Sequence, residues 1–554
     1  MHKMQLLLMK IKIFLISFLL ITHAASAQKL KKTDRELMNN LKAHISFLAD
    51  DKLEGRRAGS EGEKLAYIYL SDQFKNIGLA PKGDNGTYMQ QFEINDGEQI
   101  SKATHLIING NDLQVDKEFF PMQFSANNSL EATPVMAFQE KGTPWFWDIK
   151  TMLEENKNNP HFNPTENIKL KANDLSDKGA TALIIYNSSD IDDELKFEGK
   201  KKSDVAKIPV IYVTRIAREK YLSDSASALD IKLKVAIEDK KRTGHNVIGY
   251  LDNGAANTII IGAHYDHLGY GEDHNSLSPG APAIHNGADD NASGTAAVIE
   301  LAKMLKGRNY KNNNYLFICF SGEESGLLGS KYFIDNSPID INTIDYMINI
   351  DMIGRLNDST KTLLIGGYGT SPAWGNILSE KEKSFSIKFD SSGVGASDHT
   401  SFYRKNIPVL FFFTGTHSDY HKPTDDIEKI NFSGEVYIVK YIYKIIEQTN
   451  HDGKLAFAKT REMQMGSSPH FTVTLGIMPD YTFSGNGVKV DAIVDGKIAQ
   501  KAGIQAGDII TALDDNKAFD LTSYMKALGK YKKGDAAKVK VLRGKEELAF
   551  DIIF

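Results

Sequence analysis

Five side chains able to bind a metal stand just beyond short apolar runs, and this placement constrains the fold more than any other feature of the chain. His264 follows Thr258-Ile259-Ile260-Ile261-Gly262-Ala263, and Asp290 lies in the turn Gly287-Ala288-Asp289-Asp290-Asn291-Ala292-Ser293-Gly294. Glu323 and Glu324 follow Tyr315-Leu316-Phe317-Ile318-Cys319-Phe320, Asp351 ends Met347-Ile348-Asn349-Ile350, and His421 comes soon after Val409-Leu410-Phe411-Phe412-Phe413. Short apolar runs bounded by Gly and polar residues read as buried strands of a parallel sheet. In open α/β sheets ligands bind beyond the carboxyl ends of the strands. Four strands that end in His or carboxylate therefore aim their side chains at one crevice.

Other patterns fill in the architecture. Leu37, Leu41, Ile45 and Leu48 recur at helical spacing within 34–79, and a second periodic stretch, 64–77, follows the polar turn Glu54-Gly55-Arg56-Arg57-Ala58-Gly59-Ser60. From about 125 to 243 short β-like runs, 182–186 and 208–213, are separated by long polar segments, which reads as an insertion splitting the main domain. From 246 to about 450 apolar runs alternate with helical stretches such as 295–305 and 436–448. That alternation predicts an α/β fold with a mostly parallel central sheet flanked by helices. The expected division is 28–125 with 244–450 for the main domain, 126–243 for a β-rich insertion, 451–468 for a linker and 469–554 for a final domain of short β runs and two short helical segments.

A chain of 554 residues is too long for one core. Its net charge of -5 favours neither nucleic acid nor an acidic membrane surface as a partner. Lys3, Lys10 and Lys12 precede the apolar stretch 13–21, and Ala25-Ser26-Ala27 forms an A-x-A-type cleavage site before Gln28. The apolar run is short for a bilayer span. These features predict a signal peptide over 1–27 and an exported protein, periplasmic or secreted, with no membrane span after cleavage. The one cysteine, Cys319, falls inside a predicted strand, cannot form an intramolecular disulfide, and reads as a buried inert thiol.

His264 and His421 offer imidazole nitrogen, and Asp290, Glu324 and Asp351 offer carboxylate oxygen. Such a mixed set suits Zn²⁺, and also Mn²⁺ or Co²⁺. Five donors exceed the needs of one open tetrahedral zinc and suit two metals sharing a carboxylate, each keeping a position for water or substrate. Asp290 is the candidate bridge because it lies in a tight turn before a helix, with Asp289 as the competing choice. Asp266, two residues beyond His264, is placed to accept the other ring N–H of that histidine. Consecutive side chains diverge, so of Glu323 and Glu324 one binds metal and the other takes a proton from the attacking water. His267, His274, His285, His399 and His417 share the same polar loops and receive no role. No Gly-x-Ser-x-Gly elbow is present, so covalent nucleophilic catalysis competes poorly.

The segments His264-Tyr265-Asp266-His267-Leu268-Gly269, Gly287–Gly294, Ser321-Gly322-Glu323-Glu324, Asn349-Ile350-Asp351-Met352 and Tyr420-His421-Lys422-Pro423-Thr424-Asp425-Asp426 closely resemble the M28 family of zinc metallopeptidases. Residues 48–60 and Ser397-Asp398-His399-Thr400-Ser401-Phe402 are similar to further segments of that family. The resemblance implies one zinc on His264 and Asp351, a second on Glu324 and His421, and Asp290 between them. It implies Glu323 as general base and then acid, Tyr420 as hydrogen-bond donor to the tetrahedral intermediate, and Asp266 behind His264. The insertion resembles a protease-associated (PA) domain through Asp177-Lys178-Gly179-Ala180-Thr181-Ala182-Leu183-Ile184-Ile185-Tyr186-Asn187. The final domain resembles a PDZ domain through Gln500-Lys501-Ala502-Gly503-Ile504-Gln505-Ala506-Gly507-Asp508, although Thr474-Leu475-Gly476-Ile477-Met478 departs from the commoner Gly-Leu-Gly-Phe loop. PDZ grooves capture peptide C-termini by adding a strand to a sheet edge.

These features predict an exported aminopeptidase with two zinc ions per chain, acting on the N-termini of peptide substrates. Carboxypeptidase action is a near rival, with Arg355 and Arg404 as candidate carboxylate receivers. Glutaminyl cyclisation would call for a single zinc. A non-catalytic peptide-binding protein would be expected to lack a ligand or the base, and none is missing.

Overall fold

The computed structural model describes residues 31–554 except 158, 160, 161, 201, 202, 274, 279, 280, 309, 379–381, 383, 461–472, 480–482, 484 and 494–496. The expected signal segment, 1–27, and residues 461–468 of the expected linker lie outside the described residues.

Four parallel strands form the centre of a nine-stranded sheet, in the spatial order Asn313–Phe320, Asn257–His264, Ile344–Ile350 and Val409–Phe413. Antiparallel neighbours flank them, Ile237–Leu251 on one side and Thr362–Gly366 on the other. The near-continuous apolar runs have a direct cause in this arrangement. Ile259, Ile261 and Ala263 point into one core, while Ile260 between them joins a second core with Ile318, Phe320 and Phe333. Both faces are covered, so successive residues along each strand must be apolar.

Helices Lys32–Leu48, Glu61–Ile77, Gly294–Lys306 and Phe432–Thr449 contribute Leu41, Phe74, Leu301 and Ile442 to the first core. Leu328–Asp335 and His399–Tyr403 cover the opposite face through Phe333 and Phe402. The stretch 34–79 is two helices divided by the polar turn at 51–60. At that division the Ser60 hydroxyl accepts the Glu63 N–H while the Glu63 carboxylate accepts the Gly59 N–H, a reciprocal cap that starts the second helix. Gly78, at φ 82°, ends it.

From the strand ending at His264 the chain crosses to 313–320 on one side and then returns to 344–350 on the other. The connections diverge at that point, and a crevice opens at the carboxyl ends of the strands.

Met89–Ile100 pairs with Ile237–Leu251 as a long antiparallel ribbon that leads into and out of the insertion. Beyond it lie two four-stranded sheets. These sheets begin ahead of residue 126, where the seam was expected. His105–Ile108 pairs with Ile231–Val235, and Phe119–Pro121 pairs with Val210–Val213. Such short strands find partners about a hundred residues away, which local texture does not reveal. Strands between 477 and 553 and helices Ile498–Ala502 and Leu521–Leu528 enclose a separate C-terminal core around Leu475, Val490, Leu513 and Val539. Residues 455–460, inside the stretch expected as a linker, lie against the main domain: Leu455 N–H donates to Asp345 at 2.7 Å and Ala458 N–H to the Thr370 carbonyl at 2.8 Å.

Candidate metal centre

His264 is the last residue of its strand, and Asp351 directly follows the neighbouring parallel strand, so pairing of the two strands sets these side chains together. Asp290 sits in the turn 288–293 that enters helix Gly294–Lys306. Asn291 ties this turn to the neighbouring strand end. Its side chain donates to the Ile350 carbonyl at 2.9 Å and accepts from Gly294 N–H at 2.9 Å and Met352 N–H at 3.0 Å. From below, Asp425 accepts the N–H groups of Asp289 and Asp290, both at 3.0 Å. Gly322, at φ 70°, turns the chain so that Glu323 and Glu324 follow the strand 313–320 into the crevice.

His264 Nε2 lies 3.3 Å from Asp290 Oδ1 and 3.3 Å from Asp351 Oδ1. His421 Nε2 lies 3.4 Å from Asp290 Oδ2 and 3.2 Å from Glu324 Oε2. Asp290 thus gives one oxygen to each imidazole. All five predicted donors converge on one place.

The donor set fits bound metal cations. His264 Nδ1 faces the Asp266 backbone carbonyl at 3.1 Å, and His421 Nδ1 faces the Asn275 carbonyl at 3.0 Å. A carbonyl only accepts, so each ring carries its proton on Nδ1 and presents the Nε2 lone pair to the carboxylates. Lone pairs and carboxylate oxygens crowded at 3.2–3.4 Å call for positive charge between them. The same demand is visible in the titration of the side chains. Burial opposes it, but the Glu324 and Asp290 carboxylates push His421 up to about 11. Glu324 falls to about 2, because His421 and His267 outweigh burial and the repulsion of Asp290. Burial, joined by the Glu324 and Asp351 carboxylates, drives Glu323 well above the usual carboxylate range against the pull of His264.

Asp266 differs from its expected role. Its carboxylate is 3.8 Å from His264 Nδ1, and the backbone carbonyl of the same residue takes the ring N–H. The carboxylate accepts the Glu323 N–H at 3.1 Å, so it positions the loop of the candidate base. Residues 265–268, directly beyond the strand, belong to no regular element, so the extended course assumed from spacing does not carry over. Asp289, the competing bridge, faces away: it accepts from Gly354 N–H at 2.7 Å and Ser293 hydroxyl at 3.0 Å and meets His417 Nε2 at 3.1 Å. Tyr420 stacks its ring on His421, with centroids 3.9 Å apart.

His267 joins the donor set unforeseen. Its Nδ1 lies 2.7 Å from Glu324 Oε1, and it groups with Asp290 and Glu324 as tightly as His264 groups with Asp290 and Asp351. Its only sequence signal is its place three residues after His264, which spacing cannot separate from a loop histidine. The other unassigned histidines stand apart: His285 meets the Ser276 hydroxyl at 2.7 Å, and His399 stacks on Phe411 and is held neutral by burial, down to about 3. His274 lies outside the described residues. Cys319 is buried and free, and burial pushes its thiol up.

Residues 246–445 match the sequence profile of Peptidase family M28, and residues 462–553 match that of the PDZ domain. Aminopeptidase YwaD of Bacillus subtilis (strain 168) is 25% identical over 434 residues, covering 74% of this chain and 85% of that protein. Leucine aminopeptidase 2 of Trichophyton equinum is 30% identical over 207 residues, covering 34% of this chain and 38% of that protein. The chain therefore spans less than half of that fungal relative. Among solved structures, the aminopeptidase from Aneurinibacillus sp. strain AM-1 aligns over 78% of this chain and 98% of that one, at 22% identity and a TM-score of 0.42. Among the described residues no helix is long and apolar enough to cross a membrane.

Proposed function

On the premise that this chain carries a peptidase family M28 domain and a PDZ domain, we propose that it is an exported aminopeptidase that holds two zinc ions and removes N-terminal residues from peptides. The observation that carries the reading is Asp290, whose two oxygens lie 3.3 and 3.4 Å from two different imidazoles. In this reading His264 and Asp351 would hold one ion and Glu324 and His421 the other, with Asp290 available to both. Zinc bound there supplies Lewis acidity to the scissile carbonyl and acidifies the attacking water.

The remaining chemistry belongs to the side chains. Glu323, partly open to the crevice, accepts the proton as the water oxygen bonds to the carbonyl carbon. It then returns that proton to the departing amine as the C–N bond breaks. The Tyr420 hydroxyl donates to the oxyanion of the tetrahedral intermediate. Asp266, through the Glu323 N–H, fixes the loop from which the base works.

Aminopeptidase action is favoured over carboxypeptidase action by the names of the relatives, and by Arg355, whose guanidinium is engaged by Asp419 at 3.1 Å. Export rests on the segment 1–27, and a mature N-terminus at Gln28 is its check. Capture of peptide C-termini by the PDZ domain and the PA-like character of the insertion are further parts of the same proposal.

The test is Glu323→Gln. The variant should keep its zinc while kcat falls by roughly 10²–10⁴ or more, because a neutral amide cannot take the proton. Wild-type turnover in a metal-replete Glu323→Gln enzyme would overturn the assignment. Free and N-acetylated aminoacyl reporters then decide the direction of attack, since an aminopeptidase cleaves only the free-amine series.

A further inference from the structure

His267 has no place in the five-donor set, yet it is among the most enclosed side chains of the crevice, with its ring fully buried. Its Nδ1 meets Glu324 Oε1 at 2.7 Å. The other oxygen of the same carboxylate, Oε2, faces His421 Nε2 at 3.2 Å. Two imidazoles therefore divide the two oxygens of Glu324 between them. The next acceptor for His267 Nδ1 is Asp290 Oδ2, at 3.8 Å, beyond hydrogen-bond range.

The far side of the ring fixes its proton. His267 Nε2 is buried with no hydrogen-bond partner among the described residues. A proton there would be a buried donor with no partner, whereas a proton on Nδ1 is paired with a carboxylate. The backbone also makes room for this ring. Gly287 sits at φ 56°, and a Cβ on it would come within 2.5 Å of His267 Cδ2 and 2.1 Å of the Asp290 carbonyl. The His267 N–H donates to the Arg56 carbonyl at 3.2 Å, which holds the residue from its main chain as well.

We propose that His267 is a positioning residue that donates Nδ1–H to Glu324 Oε1 and so leaves Oε2 as the single oxygen Glu324 offers beside His421 and Asp290. A carboxylate free to rotate presents either oxygen, or both. One pinned at Oε1 presents Oε2 in a fixed direction, as partners behind ligating carboxylates do. The inference rests on the two-ion reading above and extends it, because it makes the second ion, and not the first, depend on His267. His264, Asp351 and Asp290 Oδ1 make no contact with the His267 ring within hydrogen-bond range.

The test measures metal retention on the full-length enzyme by titration with a zinc chelator, alongside kcat and KM. His267→Leu removes the donor, and His267→Asn keeps an N–H near the position of Nδ1. Wild type should hold two zinc ions. His267→Leu should release one of them at a roughly 10–100-fold lower chelator concentration and the other at the wild-type concentration, with kcat lowered more than KM. His267→Asn should recover most of the lost affinity, which a merely space-filling role would not predict. Two ions retained at wild-type affinity in His267→Leu, or equal losses in His267→Leu and His267→Asn, overturns the proposal. One ion in the wild type overturns the two-ion reading itself. Should His267→Leu fail to fold, the comparison of His267→Asn with His267→Gln, which places its N–H near Nε2, decides: only Asn should keep the second ion.

Discussion

The Arg56 guanidinium donates to the Gly287 carbonyl at 3.0 Å, joining the turn after the first helix to the turn that carries Asp290. Its other nitrogens donate to the carbonyls of Tyr265 at 2.7 Å and Asn286 at 2.7 Å, and also to that of Leu48. This buried cation is satisfied by main-chain oxygens alone, and burial lowers it to about 10 although the nearby Asp290 carboxylate pulls the other way. Three loops that supply or support metal donors are locked to one another by one side chain.

Arg56→Met should therefore cost about 3–5 kcal/mol, since it takes the guanidinium donors away from the carbonyls of Tyr265, Asn286 and Leu48, while the Gly287 carbonyl keeps the Ala292 N–H at 3.2 Å. Urea denaturation followed by circular dichroism measures this. A loss under 1 kcal/mol would mean that the loops hold their places without Arg56.

Tyr420→Phe keeps the ring that stacks on His421 and removes only the hydroxyl. The expected result is a fall of roughly 10²-fold in kcat with KM nearly unchanged and zinc content intact. An unchanged kcat would remove Tyr420 from the reaction.

Asp273 couples the insertion to the metal centre. It receives Arg57 at 2.7 and 2.8 Å and pairs with Lys200 from the insertion, while two residues on, the Asn275 carbonyl takes the His421 Nδ1–H. Arg57 also pairs at 2.8 Å with Asp96 on the ribbon, which Arg242 meets at 3.1 Å. Asp273→Ala should loosen this loop and weaken retention of the ion beside His421 by about 10-fold in chelator titration. Lys200→Ala should reproduce part of the effect, and equal metal retention in both variants and the wild type would disconnect the insertion from the site.

Asp345 gives a pH signature in stability. Burial raises its carboxyl from 3.8 to about 6 in the folded chain, where it accepts the Leu455 N–H at 2.7 Å. The raised value means that its stabilising contribution is complete below about pH 4 and is lost as pH rises through 6. Asp345→Asn keeps the acceptor and removes the ionisation. Relative to wild type it should gain on the order of 2–3 kcal/mol between pH 4 and pH 8. Parallel stability curves for the two proteins over that range would contradict the assignment.

What the chain determined on its own was the parallel centre of the sheet and the convergence of its donors. Strands covered on both faces must be apolar throughout, so they stand out as runs, and polar residues directly beyond them are forced to one edge. His264, Glu324, Asp351 and His421 were legible for that reason, and Asp290 from its tight turn before a helix. The tertiary structure alone decided the rest. It turned Asp289 away from the crevice, handed the ring N–H of His264 to the Asp266 main chain, brought His267 onto Glu324, and paired 105–108 with 231–235. Each of these depends on a hydrogen bond or a strand pairing made after a turn, where a few degrees of backbone rotation select the partner. Neither hydrophobic periodicity nor spacing carries information about such rotations.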